Sequence, residues 1–296
     1  MGFTINTNTA ATNAYRNLNI NQNAQAKSLE KLSSGLRINR AADDAAGLAI
    51  SEGLKNQVSG MTVAARNAQD GISVIQTAEG ALTEVHSILN RVRDLAVQSG
   101  NDSNNADSRA AISTEVKALG EELTRIGNST NFNGIDLLKS TSEDEDVSTP
   151  KTLTFQIGAG GSADNDQIDV NLVDVAAIGK AVTALAGTVA DGDTAATGGF
   201  VSAAEALKTI EALDKDIKTI STARSDLGAS QNRLESVTKS LNVSIENLSA
   251  AKSRITDTDM AVEMASFTRS QILSQAGTAM LSQANQMNSG VMQLLQ

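Results

Sequence analysis

Two adjacent carboxylates, Asp43 and Asp44, a single histidine, His86, and the glycine-rich GAGGSAD at 158–164 are the residues of this chain whose types invite chemistry. An aspartate pair can share a metal or a proton, a histidine can act as a general base near neutral pH, and a glycine-rich loop can cradle phosphate or calcium. None of them is in the company its chemistry needs. His86 lies in no HExxH motif and has no thiol to activate, because the chain contains no cysteine. The glycine loop lacks the P-loop lysine and is followed by acidic residues, so it reads as a turn linking two strands. Asp43 and Asp44 fit a bend between two helices, in contact with basic neighbours such as Arg37. Met280, Met287 and Met292 read as soft packing groups. Asn128-Ser129-Thr130 matches a glycosylation sequon, a weak signal. No catalytic residue, cofactor or metal is therefore expected, and the chain is not read as an enzyme.

The composition points to helix. Of 296 residues only Pro150 is a proline, aromatic side chains make up 2%, and there is no tryptophan. A proline inside a helix costs about 3 kcal/mol, so its scarcity permits very long helices. The formal net charge is −10, and residues 141–200 hold ten acidic side chains against Lys151 and Lys180. An acidic chain is a poor ligand for nucleic acid, and none is expected as a partner. The opening MGFTINTNTA has no apolar run, so no cleaved secretory signal is expected,. The ending from Ser270 to Gln296 is uncharged but rich in Ser, Gln and Asn, so membrane insertion is not expected either,.

Heptad spacing supplies the architecture. Leu213, Ile220, Leu227, Leu234, Leu241, Leu248, Ile255 and Val262 recur every seven residues, the signature of a long coiled-coil helix. Ser202 and Glu205 read as a capping box at its start. Leu54, Met61, Ala68, Ile75, Leu82, Leu89 and Ala96 form a second ladder. A shorter helix is expected over 110–127, a tight turn at Asn133-Gly134, two short strands in TLTFQIG and QIDVNLV, and a surface loop over 181–200,.

The fold class that follows is mainly α: a long antiparallel coiled-coil helical rod formed by N- and C-terminal segments, with a small β-containing tip. The rod core is expected at Leu54, Ile75, Leu82, Leu89, Leu227, Leu234, Leu241 and Leu248.

The two ends differ from the rod. Ala11, Tyr15, Leu18, Gln22, Gln25, Leu29, Leu32 and Leu36 keep heptad steps with polar residues at two seam positions. Residues 1–27 include seven asparagines, each roughly 0.6 kcal/mol worse than alanine in a helix. Ala276, Met280, Ala284, Met287, Val291 and Leu294 make a matching stripe at the other end. Both segments are expected to be disordered in the monomer and to fold together when other copies surround them.

LSSGLRINRAADDAAGLAI (32–50), RSDLGASQNRLESV (224–237) and SQAGTAMLSQANQ (274–286) closely resemble bacterial flagellins, over nearly all of residues 1–140 and 203–296. The resemblance implies a structural subunit of the helical, extracellular flagellar filament used for motility, exported unfolded by a type III apparatus. It divides the chain into an N-terminal inner-tube helix (1–45), N-terminal rod helices (46–140), variable solvent-facing strands and loop (141–201), a C-terminal rod helix (202–256) and a C-terminal inner-tube helix (257–296). The assembly interface is expected at Leu18, Leu29, Leu32, Leu36, Met280, Met287, Val291 and Leu294. The implied partners are further copies of the chain in a homo-oligomeric filament, the export apparatus and its chaperone, and junction and cap proteins. By motif matching, Arg91, Leu95 and Glu115 stand where relatives contact a vertebrate Toll-like receptor, with Asn90 and Asp94 in place of the longer Gln and Glu common there. The alternatives are a hook–filament junction protein, which shares the terminal pattern, and a coiled-coil signalling protein.

Overall fold

With its single proline at position 150, the chain is free to run helices over most of its length,. The computed structural model describes residues 8–140, 151–187 and 198–293, with side chains as far as Gln286. Among these the protein is mainly α with a small β region. The order is α1 Thr9–Ser34, α2 Ala45–Ser99, α3 Ala106–Ser129, β1 Asn131–Phe132, β2 Ile135–Asp136, β3 Lys151–Gln156, α4 Ala163–Asp166, β4 Gln167–Leu172, α5 Val175–Ala186, α6 Ala203–Thr256 and α7 Met260–Gln293. Two compact units divide the chain: unit 1 comprises residues 1–58 and 246–296, unit 2 residues 59–245. The divisions fall inside α2 and α6, not at the helix breaks where the sequence places its boundaries. Side-chain burial explains this: Ala68 and Leu234 are fully buried, whereas Leu54, Leu241 and Leu248 are only half-buried.

Unit 2 holds the main core, and its heptad ladders interlock. Ile75, Leu82 and Leu89 of α2 are fully buried, as are Leu213, Ile220 and Leu234 of α6, with Leu227 at 1% exposure. The two segments run antiparallel. Arg93 pairs with Asp214 at 2.6 Å, Arg224 with Glu79 at 3.9 Å, and Leu234 lies beside Gly71, so contacts descend one helix as they climb the other. Ser202 Oγ accepts from the Glu205 N–H at 3.3 Å. The Glu205 carboxylate turns to Lys208 at 2.8 Å, so only half of the expected capping box forms.

The small elements complete this core. β1 and β2 close on the Asn133-Gly134 turn, where both residues have positive φ (50° and 78°). β3 and β4 pair antiparallel with Leu153 opposite Val170. Ile168, Val170 and Leu172 face inward while Gln167, Asp169 and Asn171 face out. GAGGSAD links these strands and is tied down internally. The Ile157 N–H donates to the carbonyl of Asp166 at 2.7 Å, and the Ser162 N–H donates to its carboxylate at 3.0 Å.

The expected loop over 181–200 is corrected in its first part. Residues up to Ala186 belong to α5, capped by Asp174, whose carboxylate accepts from the Ala177 N–H at 2.9 Å. Val175, Ile178, Val182 and Ala186 recur at helical spacing and are buried in the core. Residues 188–197 of that expectation lie outside the described residues.

α5 lies against α3 at close range because glycine lines the contact. A Cβ on Gly127 would stand 2.6 Å from the Ala176 backbone nitrogen. At Gly53 of α2, by contrast, a Cβ would meet nothing within 4 Å. Alanine gains about 1 kcal/mol of helix propensity over glycine at both sites, so sterics decide the sign. Gly127→Ala should destabilise by about 1–3 kcal/mol, and Gly53→Ala should stabilise by up to about 1 kcal/mol. Urea-unfolding midpoints of the two variants check both signs.

Candidate functional site

Unit 1 is built from α1, α7 and the chain breaks beside them. α1 and α7 pair antiparallel: Asn8 Nδ2 donates to the Ala284 carbonyl at 3.1 Å, and Leu18 lies beside Gly277. Between the end of α1 and the start of α7, the Arg37 N–H donates to the carbonyl of Thr256, the last residue of α6, at 2.6 Å and the Thr258 N–H donates to the Gly35 carbonyl at 3.0 Å. Leu36 and Asp257 form an isolated antiparallel bridge.

Helicity at the two ends departs from the expected disorder of the single chain. Each helix has the other as a partner, and α1 has local caps. Asn8 accepts from the Ala11 N–H, and Gly35 closes the C-terminus in the left-handed conformation with φ 72°,. The pairing is thin, however. In α1 only Leu18 and Ser28 are buried, and in the described part of α7 only Ala284.

The chemistry of that pairing is mixed. On its paired face the less exposed positions of α1 are Ala11, Ala14, Leu18, Asn21, Gln25, Ser28 and Leu32, with Glu30 and Lys31 also less exposed near its C-terminus, and those of α7 include Glu263, Phe267, Ser270, Ser274, Gly277, Leu281 and Ala284. Both paired sets keep steps of three and four, so each is one helix face. Ten of these fourteen paired side chains are polar or small, and Leu18, Leu32, Phe267 and Leu281 are the large apolar ones among them. Other large apolar side chains point away: Tyr15, Ile20 and Leu29 on α1, and Met264, Ile272, Leu273 and Met280 on α7, are 45–68% exposed. A helix pair complete in water would bury more of its large apolar side chains, and exposed apolar side chains in this number mark an interaction site.

The expected seam of α1 is corrected at alternate positions. Ala11, Leu18, Gln25 and Leu32 turn inward as expected, whereas Tyr15, Gln22 and Leu29 are exposed and Ala14, Asn21 and Ser28 take their places. Of the expected assembly residues, Leu18 is 8% exposed, Leu29 57% and Met280 68%, and Leu32 and Leu36 are half-buried. The side chains of Met287 and Val291, and Leu294 altogether, lie outside the described residues.

Carboxylates set the junctions between the helices of unit 1. Asp44 caps α2 by accepting from the Gly47 N–H at 2.9 Å, and Asp259 caps α7 through the Ala261 N–H at 2.9 Å. Asp43 accepts from the N–H groups of Arg40 (3.0 Å) and Asn39 (3.2 Å), and these bonds hold its carboxyl below the usual aspartate range. The hydroxyls of Ser253 and Thr256 act likewise on Asp257. Arg37 does not pair with the Asp43-Asp44 couple. Its guanidinium donates to the Ile255 carbonyl at 2.8 Å, satisfying one of the unpaired carbonyls at the end of α6, and the nearby arginine–carboxylate bond joins Arg40 to Glu30 at 2.7 Å,.

In unit 2, Arg91 binds Glu115 through Nη2 at 2.7 Å, with both side chains well exposed. Leu95, expected beside them at a receptor contact, is only 2% exposed and belongs to the core. A direct contact would therefore fall to the Arg91–Glu115 pair. His86 is half-buried and its Nδ1 makes no hydrogen bond among the described residues. Among those residues no group of three or more His, Cys, Asp or Glu could hold a metal ion, and no helix is long and apolar enough to cross a membrane.

Comparison with known proteins places these features in a family. Residues 5–143 match the bacterial flagellin N-terminal helical region, and residues 210–295 match the bacterial flagellin C-terminal helical region. The chain is 51% identical to a flagellin of Halalkalibacterium halodurans over 98% of this chain and 99% of that one. It is 47% identical to a flagellin of Bacillus subtilis, with the same coverage. Among solved structures, one described as a flagellar hook-associated protein from Vibrio parahaemolyticus superposes with a TM-score of 0.56. It covers 73% of this chain and 100% of that one at 16% identity, a likeness of fold alone.

The lowered carboxyls predict how the helix junctions respond to acid. Each contributes stability that is fully present above the usual aspartate range and is lost as pH falls through its lowered folded-state value. Limited proteolysis between α1 and α2 should accelerate as pH drops below that range. Asp43→Asn should cleave faster than wild type at neutral pH and show a weaker acid dependence.

Proposed function

Because the chain belongs to the bacterial flagellin family, we propose that the outward apolar faces of α1 and α7 are its polymerisation surface, completed by further copies of the same chain. The protein is a structural subunit of the extracellular flagellar filament. The single observation that carries the finer reading is the pairing in unit 1: small and polar side chains outnumber large apolar ones on the intrachain seam, while Tyr15, Ile20, Leu29, Ile272 and Met280 face outward. A contact of this kind between unlike surfaces of identical subunits need not close, and repeated it generates an open helical polymer.

Magnitudes support this. Burying the exposed half of a Leu, Ile or Met side chain is worth roughly 1 kcal/mol. The exposed set, Tyr15, Ile20, Leu29, Met264, Ile272, Leu273 and Met280, therefore carries several kcal/mol of unrealised burial per subunit. That gain must offset the ordering and association costs of joining a lattice. The intrachain seam adds little stability of its own, so unit 1 gains most from having neighbours.

The remaining partners follow from family membership. They are the export apparatus with its chaperone, the junction and cap proteins, and a vertebrate Toll-like receptor. A thinly cored unit 1 suits export as an unfolded chain, since little stability opposes its opening. For the receptor, the exposed Arg91–Glu115 pair is the contact. The fold likeness to a hook-associated protein does not argue for a junction role.

Leu29→Asp and Met280→Asp test the polymerisation surface. Both side chains are more than half exposed, so the folded subunit should keep its helicity and its urea-unfolding midpoint. Seeded polymerisation in a precipitating salt should give no filaments by electron microscopy. Normal filaments from either variant would contradict the assignment.

A further inference from the structure

Asn133 and Gly134 are the only Asn-Gly pair in the chain, and they form the whole of the turn between β1 and β2. Both are exposed, with φ of 50° and 78°. We infer that this turn is a site of non-enzymatic modification, at which Asn133 deamidates through a succinimide in the folded protein. In that reaction the Gly134 backbone nitrogen bonds to Cγ of Asn133 and gives up its proton. The side-chain nitrogen takes up a proton and leaves as ammonia. Water then opens the ring. Attack at Cγ yields aspartate, and attack at the main-chain carbonyl carbon yields isoaspartate. Water is the only co-reactant, and no oxidation state changes.

Three features of the turn favour the reaction. Glycine carries no Cβ to shield its nitrogen from the neighbouring side chain. The β1–β2 ladder joins Phe132 to Ile135 and Asn131 to Asp136, so neither pair engages the Gly134 N–H. With only those two pairs the hairpin has little independent stability, and its opening releases Asn133 from the left-handed conformation. Other asparagines nearby lack this combination. Asn128 lies inside α3 and is followed by Ser129, and Asn131 lies in β1 and is followed by Phe132.

The two products differ in consequence. Aspartate tolerates the left-handed region much as asparagine does, so the hairpin survives with one more negative charge. Isoaspartate lengthens the main chain by one carbon, and a two-residue turn no longer spans β1 and β2. The strain falls on Leu137 and Leu138, which are 1% and 0% exposed, and on the bond from the Leu137 N–H to the Thr130 carbonyl at 3.1 Å. The isoaspartate form therefore loosens one edge of the unit 2 core.

The test incubates the folded full-length chain in mildly alkaline buffer, cleaves it with trypsin after Arg125 and Lys139, and sequences that peptide by mass spectrometry. The expected result is conversion of amide to acid at Asn133 ahead of Asn128 and Asn131, split into aspartate and isoaspartate forms. Isoaspartyl methyltransferase should label this tryptic peptide of the aged protein, whereas Asp70-Gly71 and Asp191-Gly192, which can also form isoaspartate, fall in other peptides. It should not label the corresponding peptide of Asn133→Gly, which keeps a turn sequence suited to positive φ while removing the carboxamide. The inference is overturned if Asn133 converts no faster than Asn128 in the folded chain, if conversion requires prior unfolding in urea, or if the Asn133→Gly peptide labels as strongly as that of wild type.

Discussion

The rest of the structure depends on a mismatch in unit 1. Two helices from opposite ends of the chain pair along a face where Asn21, Gln25, Ser28, Ser270, Ser274 and Gly277 stand with Leu18, Leu32 and Leu281, and turn Ile20, Leu29, Ile272 and Met280 outward. A helix earns its place in a soluble protein by burying an apolar stripe. Here much of the apolar surface available for burial is not used within the chain. The mismatch leaves unit 1 marginal by itself and gives it a reason to associate. Both properties suit a subunit that belongs to an extracellular polymer.

Unit 2 has the opposite character. Its seam is filled by Ile75, Leu82, Leu89, Leu213, Ile220 and Leu234, all at zero exposure, even though Val97, Leu207 and Val243 remain exposed on its surface. α3, α5 and the β3–β4 pair close its sides, with glycines at the tightest helix contact. The buried hydroxyls of Ser99, Ser113 and Thr209 donate to backbone carbonyls, and charged groups pair at the surface, as in Arg93–Asp214 and Arg91–Glu115. Pairs this exposed contribute little to stability, and their value lies in fixing the register between elements.

The sequence makes some of this plain and hides the rest for physical reasons. Strict seven-residue spacing identifies the α2 and α6 seam, because a stripe that repeats so regularly has one way to be buried. The Asn-Gly turn and the alternation in QIDVNLV are equally direct. α5 is obscured by its small residues: VAAIGKAVTALA is short and glycine-bearing, and only Asp174 with Val175, Ile178 and Val182 betrays a capped amphipathic helix. The seam of α1 is harder still. A reading that assumes burial of apolar groups puts Tyr15 and Leu29 on the intrachain seam beside Leu18 and Leu32. The structure keeps Leu18 and Leu32 there but turns Asn21 and Ser28 inward in place of Gln22 and Leu29. Arg37 illustrates a related difficulty, since its partner is a backbone carbonyl of Ile255 more than two hundred residues away, and no side-chain pattern announces such a bond.

Backbone amide hydrogen exchange, measured on dispersed subunits and on assembled filaments, tests the central claim most directly. If neighbouring copies complete unit 1, amides of α1 and α7 exchange rapidly in the dispersed chain and become strongly protected in the filament. The α2 and α6 amides of unit 2 should be protected in both states. Equal protection of α1 and α7 before and after assembly would contradict the account, because unit 1 would then be complete without its neighbours.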